Sequence, residues 1–118
     1  MAMSDVEICI TTYSKEFGKQ EFTYGEYSKR SKFTLHREDG PAVISLNLKH
    51  RQHREWWIEG LLHRTDGPAI EYDNGDYAWY IEGVYLSRKS HHELVQEVRD
   101  MPEVLRLVDP RKWVREFE

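Results

Sequence analysis

Leu35-His36-Arg37-Glu38-Asp39-Gly40-Pro41-Ala42-Val43 returns 27 positions later as Leu62-His63-Arg64-Thr65-Asp66-Gly67-Pro68-Ala69-Ile70. Trp56-Trp57-Ile58-Glu59-Gly60 returns as Trp79-Tyr80-Ile81-Glu82-Gly83. The unit is a turn block, a strand, a connecting turn and an aromatic strand ending in Gly. Asp39 and Asp66 can bond the backbone N–H groups ahead of them and start a turn. Gly40 and Gly67 are expected to take a backbone angle that a side chain resists. Pro41 and Pro68 can begin a strand, where a missing donor matters least. Ala69-Ile70-Glu71-Tyr72 then runs into Asp73-Asn74-Gly75-Asp76, and Asn-Gly between two strand-like runs is a strong hairpin signal. The return strand Tyr77–Ile81 is aromatic and β-branched. Alternation puts Trp79 and Ile81 on one face, with Trp56 and Ile58 matching them in the first copy.

The flanks must cap so short an array. Glu7–Tyr13 and Glu21–Gly25 read as strands around a turn at residues 16–19. The second of these loosely echoes the aromatic strand plus Gly, and Glu26–Lys32 reads as a polar loop. After Gly83 the apolar period lengthens. Ser90-His91-His92-Glu93 is a capping box, followed by an apolar face of Leu94, Val95, Val98 and Met101. Asp100-Met101-Pro102 and Asp109-Pro110 announce a second and a third helix. The fold class expected is mainly β (α+β): antiparallel hairpin repeats in one curved sheet, with two or three short C-terminal helices. The whole is one domain over 1–118, with an N-terminal cap at 7–34, the two repeats at 35–86 and a helical cap at 87–118.

Composition narrows the function. The chain has 118 residues, 32% of them charged, and a mean hydropathy of −0.78. No apolar run reaches the roughly 18 residues of a membrane span. The N-terminus carries no leader pattern, and the single cysteine, Cys9, sits in a strand-like run, so a reducing cytoplasm is the expected compartment. Residues 35–86 hold nine acidic and five basic side chains, so the net charge of −4 is concentrated in the repeats. A general nucleic-acid binder is usually basic.

Tandem units of the form Trp-Tyr-x-x-Gly-x-x-His-Arg-x-Asp-Gly-Pro-Ala resemble repeats of small bacteriophage and large-DNA-virus proteins, themselves similar to the MORN-type hairpin repeat. The resemblance spans Leu35 to Gly83. It implies a hairpin-repeat fold, a viral source and an interaction surface, and it carries no catalytic residues.

The duplicated residues His36, Arg37, Asp39, Gly40, Pro41, His63, Arg64, Asp66, Gly67 and Pro68 read as scaffold, because active sites are rarely duplicated in one small chain. Arg37 and Arg64 are expected to pair with the aspartates or with carbonyls, and the imidazoles to pack on aromatic rings. Function is sought where the copies differ. From Ala42 to Trp56 is fourteen positions and from Ala69 to Trp79 is ten, so the first copy carries four extra residues. Its connection, read as a projecting basic loop, holds Lys49, His50, Arg51, His53 and Arg54. The second copy holds Glu71, Asp73 and Asp76, an acidic field. Trp57 and Tyr80 are candidate anchors, since Trp, Tyr and Arg dominate interface energetics.

The reading is a non-enzymatic accessory protein that binds a host protein, to inhibit or redirect a host enzyme or defence system. Nucleic-acid binding through 49–54 is the alternative. An enzyme using the repeat histidines, or a metal on His50 and His53, ranks lower, because metals want three or four ligands. No cofactor and no membrane partner are expected. Self-association through the opposed charges remains open.

Overall fold

The computed structural model describes residues 9–100 apart from 31, 48 and 50. The helices expected over 102–118 lie outside the described residues, as do Met101 and His50. Nine strands and two helices are described: β1 (Ile10–Ser14), β2 (Gly18–Phe22), α1 (Tyr24–Ser28), β3 (Val43–Leu46), β4 (Gln52–Glu55), β5 (Trp57–Ile58), β6 (Leu61–Leu62), β7 (Ile70–Glu71), β8 (Tyr77–Ile81), β9 (Val84–Lys89) and α2 (His91–Asp100). Seven strands form one antiparallel sheet in the order β2-β1-β3-β4-β7-β8-β9, and β5 and β6 form a separate ribbon. The protein is thus mainly β, as its alternating runs and turn residues predict.

The two long connections are the same turn on ladders of different length. Asn47 N–H donates to Arg51 O at 3.0 Å, and Tyr72 N–H donates to Asp76 O at 2.9 Å. The β3–β4 ladder has four paired positions, Val43↔Glu55 to Leu46↔Gln52, and β7–β8 has two, Ile70↔Ala78 and Glu71↔Tyr77. The four extra residues are therefore two more rungs on each arm. The projecting loop expected at 49–54 is corrected: Gln52, His53 and Arg54 lie in β4. Asn47 Oδ1 holds the turn by accepting from Lys49 N–H at 2.8 Å and Arg51 N–H at 3.0 Å. Apolar alternation in Ala42–Leu48 was compatible with either a long loop or a long ladder.

The Ile-Glu-Gly sequences are turns of their own. Glu59 and Gly60 have φ of 50° and 80°, and Glu82 and Gly83 have 49° and 81°. Two successive positive φ angles make the two-residue hairpin turn whose twist matches the strands it joins. Holding a glutamate in the left-handed region costs on the order of 1 kcal/mol. The repeat histidines offset part of this: Nδ1 of His36 accepts from Glu59 N–H at 2.9 Å, and Nδ1 of His63 accepts from Glu82 N–H at 3.0 Å. Stacking on aromatics, the role expected for these imidazoles, is replaced by acceptance of a strained amide.

The core is mostly aliphatic. Ile10, Ala42, Val43, Ala69, Ile70, Tyr77, Ala78 and Leu94 are buried, and Thr12 is as buried as any of them. Trp56, Trp57, Ile58, Trp79, Tyr80 and Ile81 are only half-buried. α2 adds Leu94, fully enclosed, and its capping box is formed: Glu93 N–H donates to Ser90 Oγ at 3.2 Å and Ser90 N–H to Glu93 Oε1 at 2.9 Å. Tyr77 Oη lies 3.0 Å from His91 Nδ1, which ties the start of α2 to β8.

Two N-terminal expectations are corrected. The loop expected at Glu26–Lys32 is helical over its first three residues, in α1, whose capping box joins Thr23 and Glu26. The aromatic strand expected at Glu21–Gly25 is divided between β2 and α1, and it is Tyr13 whose backbone bonds match those of Trp56. Tyr13 N–H donates to Ala42 O at 2.8 Å and its carbonyl accepts from His36 N–H at 3.0 Å. Trp56 makes the same two bonds to Ala69 and His63, at 2.8 and 3.0 Å.

Candidate functional site

The His-Arg-x-Asp-Gly-Pro turn is a clamp on its own arginine. Arg37 Nε donates to Asp39 at 2.9 Å and its Nη1 to Pro41 O at 3.1 Å, with the guanidinium 3.9 Å from the Tyr13 ring centre. Arg64 repeats this with Asp66 at 2.9 Å, Pro68 O at 3.2 Å and the Trp56 ring at 3.8 Å. A cation on the face of an aromatic ring is attracted by the ring quadrupole. The glycines serve this packing. Neither Gly40 nor Gly67 has a positive φ, which corrects the expected reason for glycine there. A Cβ on Gly40 would stand 3.0 Å from Arg37 Cζ, and one on Gly67 would stand 2.8 Å from Arg64 Cζ.

Between the two turns lies an open groove of about 530 Å³, lined among others by Pro41, Trp56, Ile58 and His63. Its rim carries the carboxylates of Asp39 and Asp66, 87% and 84% exposed. His63 reaches this groove with Nδ1 already bonded to the Glu82 amide, so that lone pair is not free to take a proton from a substrate.

The residues expected to face a partner are mostly engaged with each other. Glu71 lies between Arg54 at 2.7 Å and Arg64 at 3.2 Å. Asp73 accepts from Asn47 Nδ2 at 3.1 Å, which joins the tips of the two hairpins. Asp76 accepts from Arg88 at 2.9 Å, and Arg88 lies 4.1 Å from the Tyr72 ring. One pair joins the basic and acidic fields read from the sequence, Arg54 with Glu71. Lys49 and Arg51 stay on the exposed turn. Trp57 is held through Nε1 to Glu55 at 2.8 Å, and Tyr80 packs edge-on against Tyr85 with ring centres 5.5 Å apart.

Glu55 is the most enclosed of these acids whose proton affinity shifts. Burial pushes its carboxyl up, and hydrogen bonds from His53, at 2.7 Å, and Trp57 outweigh this and lower it overall. An ionised carboxylate only accepts, so His53 Nε2 carries the proton of that contact. A carboxyl lowered on folding stabilises the fold above its unfolded value and loses that contribution as pH falls through the folded one. Urea midpoints are therefore expected to fall as pH drops below the ordinary value of 4.5. The fall should be shallower in Glu55→Gln than in the wild type; parallel curves would contradict the assignment.

Among the described residues, the β9 end of the sheet carries three consecutive exposed apolar side chains. Val84, Tyr85 and Leu86 are 62%, 57% and 56% exposed, and Leu61 beside them is 47% exposed. A register shift between Trp79 and Tyr80 leaves Leu86 as the extra residue of a bulge. A cavity of about 280 Å³ opens there, lined by Trp79, Leu86, Ser87 and Lys89. Sequence reasoning missed this site, although Val84-Tyr85-Leu86 directly after a turn glycine was a visible signal. The β2 edge differs, carrying Lys19 and Glu21 3.8 Å apart. Among the described residues no group of three His, Cys, Asp or Glu side chains is placed to hold a metal ion, and no helix is long and apolar enough to cross a membrane. Comparison with protein-family models, with curated proteins and with solved structures finds no match to this chain.

Proposed function

We propose that this is a non-enzymatic binding protein that takes an extended segment of a partner protein onto its β9 edge. The observation that carries the reading is the row of Val84, Tyr85 and Leu86, each more than half exposed on the strand that ends the main sheet among the described residues. Such an edge presents unpaired backbone groups, and proteins that do not use one blunt it with charge or cover it. Strand addition uses those groups for affinity and the alternate side chains for selectivity. The curvature expected of a hairpin array belongs to the proposal, as does the phage-type accessory role directed at a host enzyme or defence protein. That setting rests on the resemblance of the repeat unit alone.

Nucleic-acid binding through the first hairpin is weakened by the Arg54–Glu71 pair, which leaves Lys49 and Arg51 as the exposed cations of that turn. Two variants separate the readings, Tyr85→Asp with Leu86→Lys on the edge and Lys49→Ala with Arg51→Ala on the turn. Capture of a partner from host lysate is expected to disappear with the edge variant and persist with the turn variant. Salt-sensitive nucleic-acid retention that the turn variant abolishes, with the edge variant still active, would overturn the proposal.

A further inference from the structure

Three aromatic residues occupy one position of the array. Ala42 O accepts from Tyr13 N–H and Ala69 O from Trp56 N–H, while Ser87 is paired with Trp79. One position earlier in the ladder, Leu35 bridges Ser14, Leu62 pairs with Trp57 and Tyr85 pairs with Tyr80. Leu86 therefore stands where His36 and His63 stand, and Ser87 where Ala42 and Ala69 stand. Five residues separate His36 from Ala42 and five separate His63 from Ala69, whereas Leu86 and Ser87 are adjacent. The third unit lacks the turn that carries the arginine, and a bulge takes its place. Over Tyr13 and Trp56 that turn lays a guanidinium 3.9 and 3.8 Å from the ring centre. Beside Trp79 lies the cavity of about 280 Å³.

We infer that this cavity is a socket for an arginine side chain of the partner, seated on Trp79 as Arg37 and Arg64 are seated on their rings. The inference rests on the proposed docking at β9, because a segment paired along that edge passes the socket. Charge favours it: the ring face is electron-rich, and Lys89, the cation among the described residues of the lining, is paired with Glu97 at 2.5 Å. The arginine needs no acid from this chain. Arg37 bonds Asp39 and Pro41 within its own turn, so the partner can likewise bring an acceptor two residues away. Lys89 occupies the place of Glu71, which supports Arg64 from the neighbouring strand, so Lys89→Gln should tighten binding.

The test uses the full chain and three short extended peptides, Thr-Val-Arg-Val-Asp-Thr and its versions with Lys or norleucine for Arg, blocked at both ends. Binding is followed by the indole N–H resonance of Trp79, assigned by its loss in Trp79→Phe. The Arg peptide is expected to shift that resonance and to bind about tenfold more tightly than the norleucine peptide. Trp79→Leu should reduce that preference to near unity while edge binding persists. Norleucine binding as well as Arg, with both lost in Tyr85→Asp, would overturn the arginine socket and leave the docking edge standing. No binding of any peptide would overturn both.

Discussion

Gly67→Ala is expected to destabilise the protein by about 3 kcal/mol. The new Cβ would stand 2.8 Å from Arg64 Cζ, closer than carbon atoms approach. A guanidinium at the end of a flexible side chain can normally step aside, but this one is bonded to Asp66, Pro68 O and Glu71 and rests on Trp56. Movement in any direction gives up one of these contacts. Gly40→Ala should cost less, since its Cβ would stand 3.0 Å from Arg37 Cζ and Arg37 lacks a bond to a second, enclosed acid. Gly25→Ala is the control: it lies inside α1 with nothing within 4 Å of its Cβ position, and alanine there should stabilise by up to about 1 kcal/mol. Urea denaturation of the three variants measures the order. Equal losses at Gly40 and Gly67, or none at either, would refute the clamp.

The fold was legible where local signals were redundant. The duplicated block, Asn74-Gly75 and the Ser90–Glu93 box each name a turn or a cap by chemistry that needs no distant partner. What lay beyond reading depends on contacts far along the chain. The rings of Tyr13 and Trp56 are half-buried beneath arginines of the following turn, and full burial falls to Ala42, Val43, Ala69 and Ile70. Thr12 is wholly buried without a hydrogen-bond partner for its Oγ1, which no propensity would suggest. Arg54 and Glu71, read as members of opposed fields, are partners, and only the register of β4 against β7 brings them together. The helix at Tyr24–Ser28 was readable from Thr23-Tyr24-Gly25-Glu26, a capping spacing overshadowed by the polar run after it.

Removing the two clamp arginines should expose how differently equivalent positions are supported. Arg64→Met is expected to cost about 3 kcal/mol and Arg37→Met about 1 kcal/mol. Both variants lose a cation–ring contact and a bond to a proline carbonyl. Asp39 and Asp66 are 87% and 84% exposed, so either regains water when its arginine is gone. Glu71 is only 12% exposed and depends on Arg64 for one oxygen and Arg54 for the other. Without Arg64 it keeps half its compensation in a place water reaches poorly, and an enclosed carboxylate short of partners is the costly outcome. At the matching position the first unit has Ile44, an apolar residue with no carboxylate to strand. A double-mutant cycle tests this origin. Glu71→Gln should recover at least about 1 kcal/mol of the Arg64→Met loss and none of the Arg37→Met loss. Arg64→Lys should fall well short of wild type, because an ammonium cannot meet the aspartate, the proline carbonyl and Glu71 in one plane. If the two methionine variants unfold at the same denaturant concentration, Glu71 is not what distinguishes the two turns.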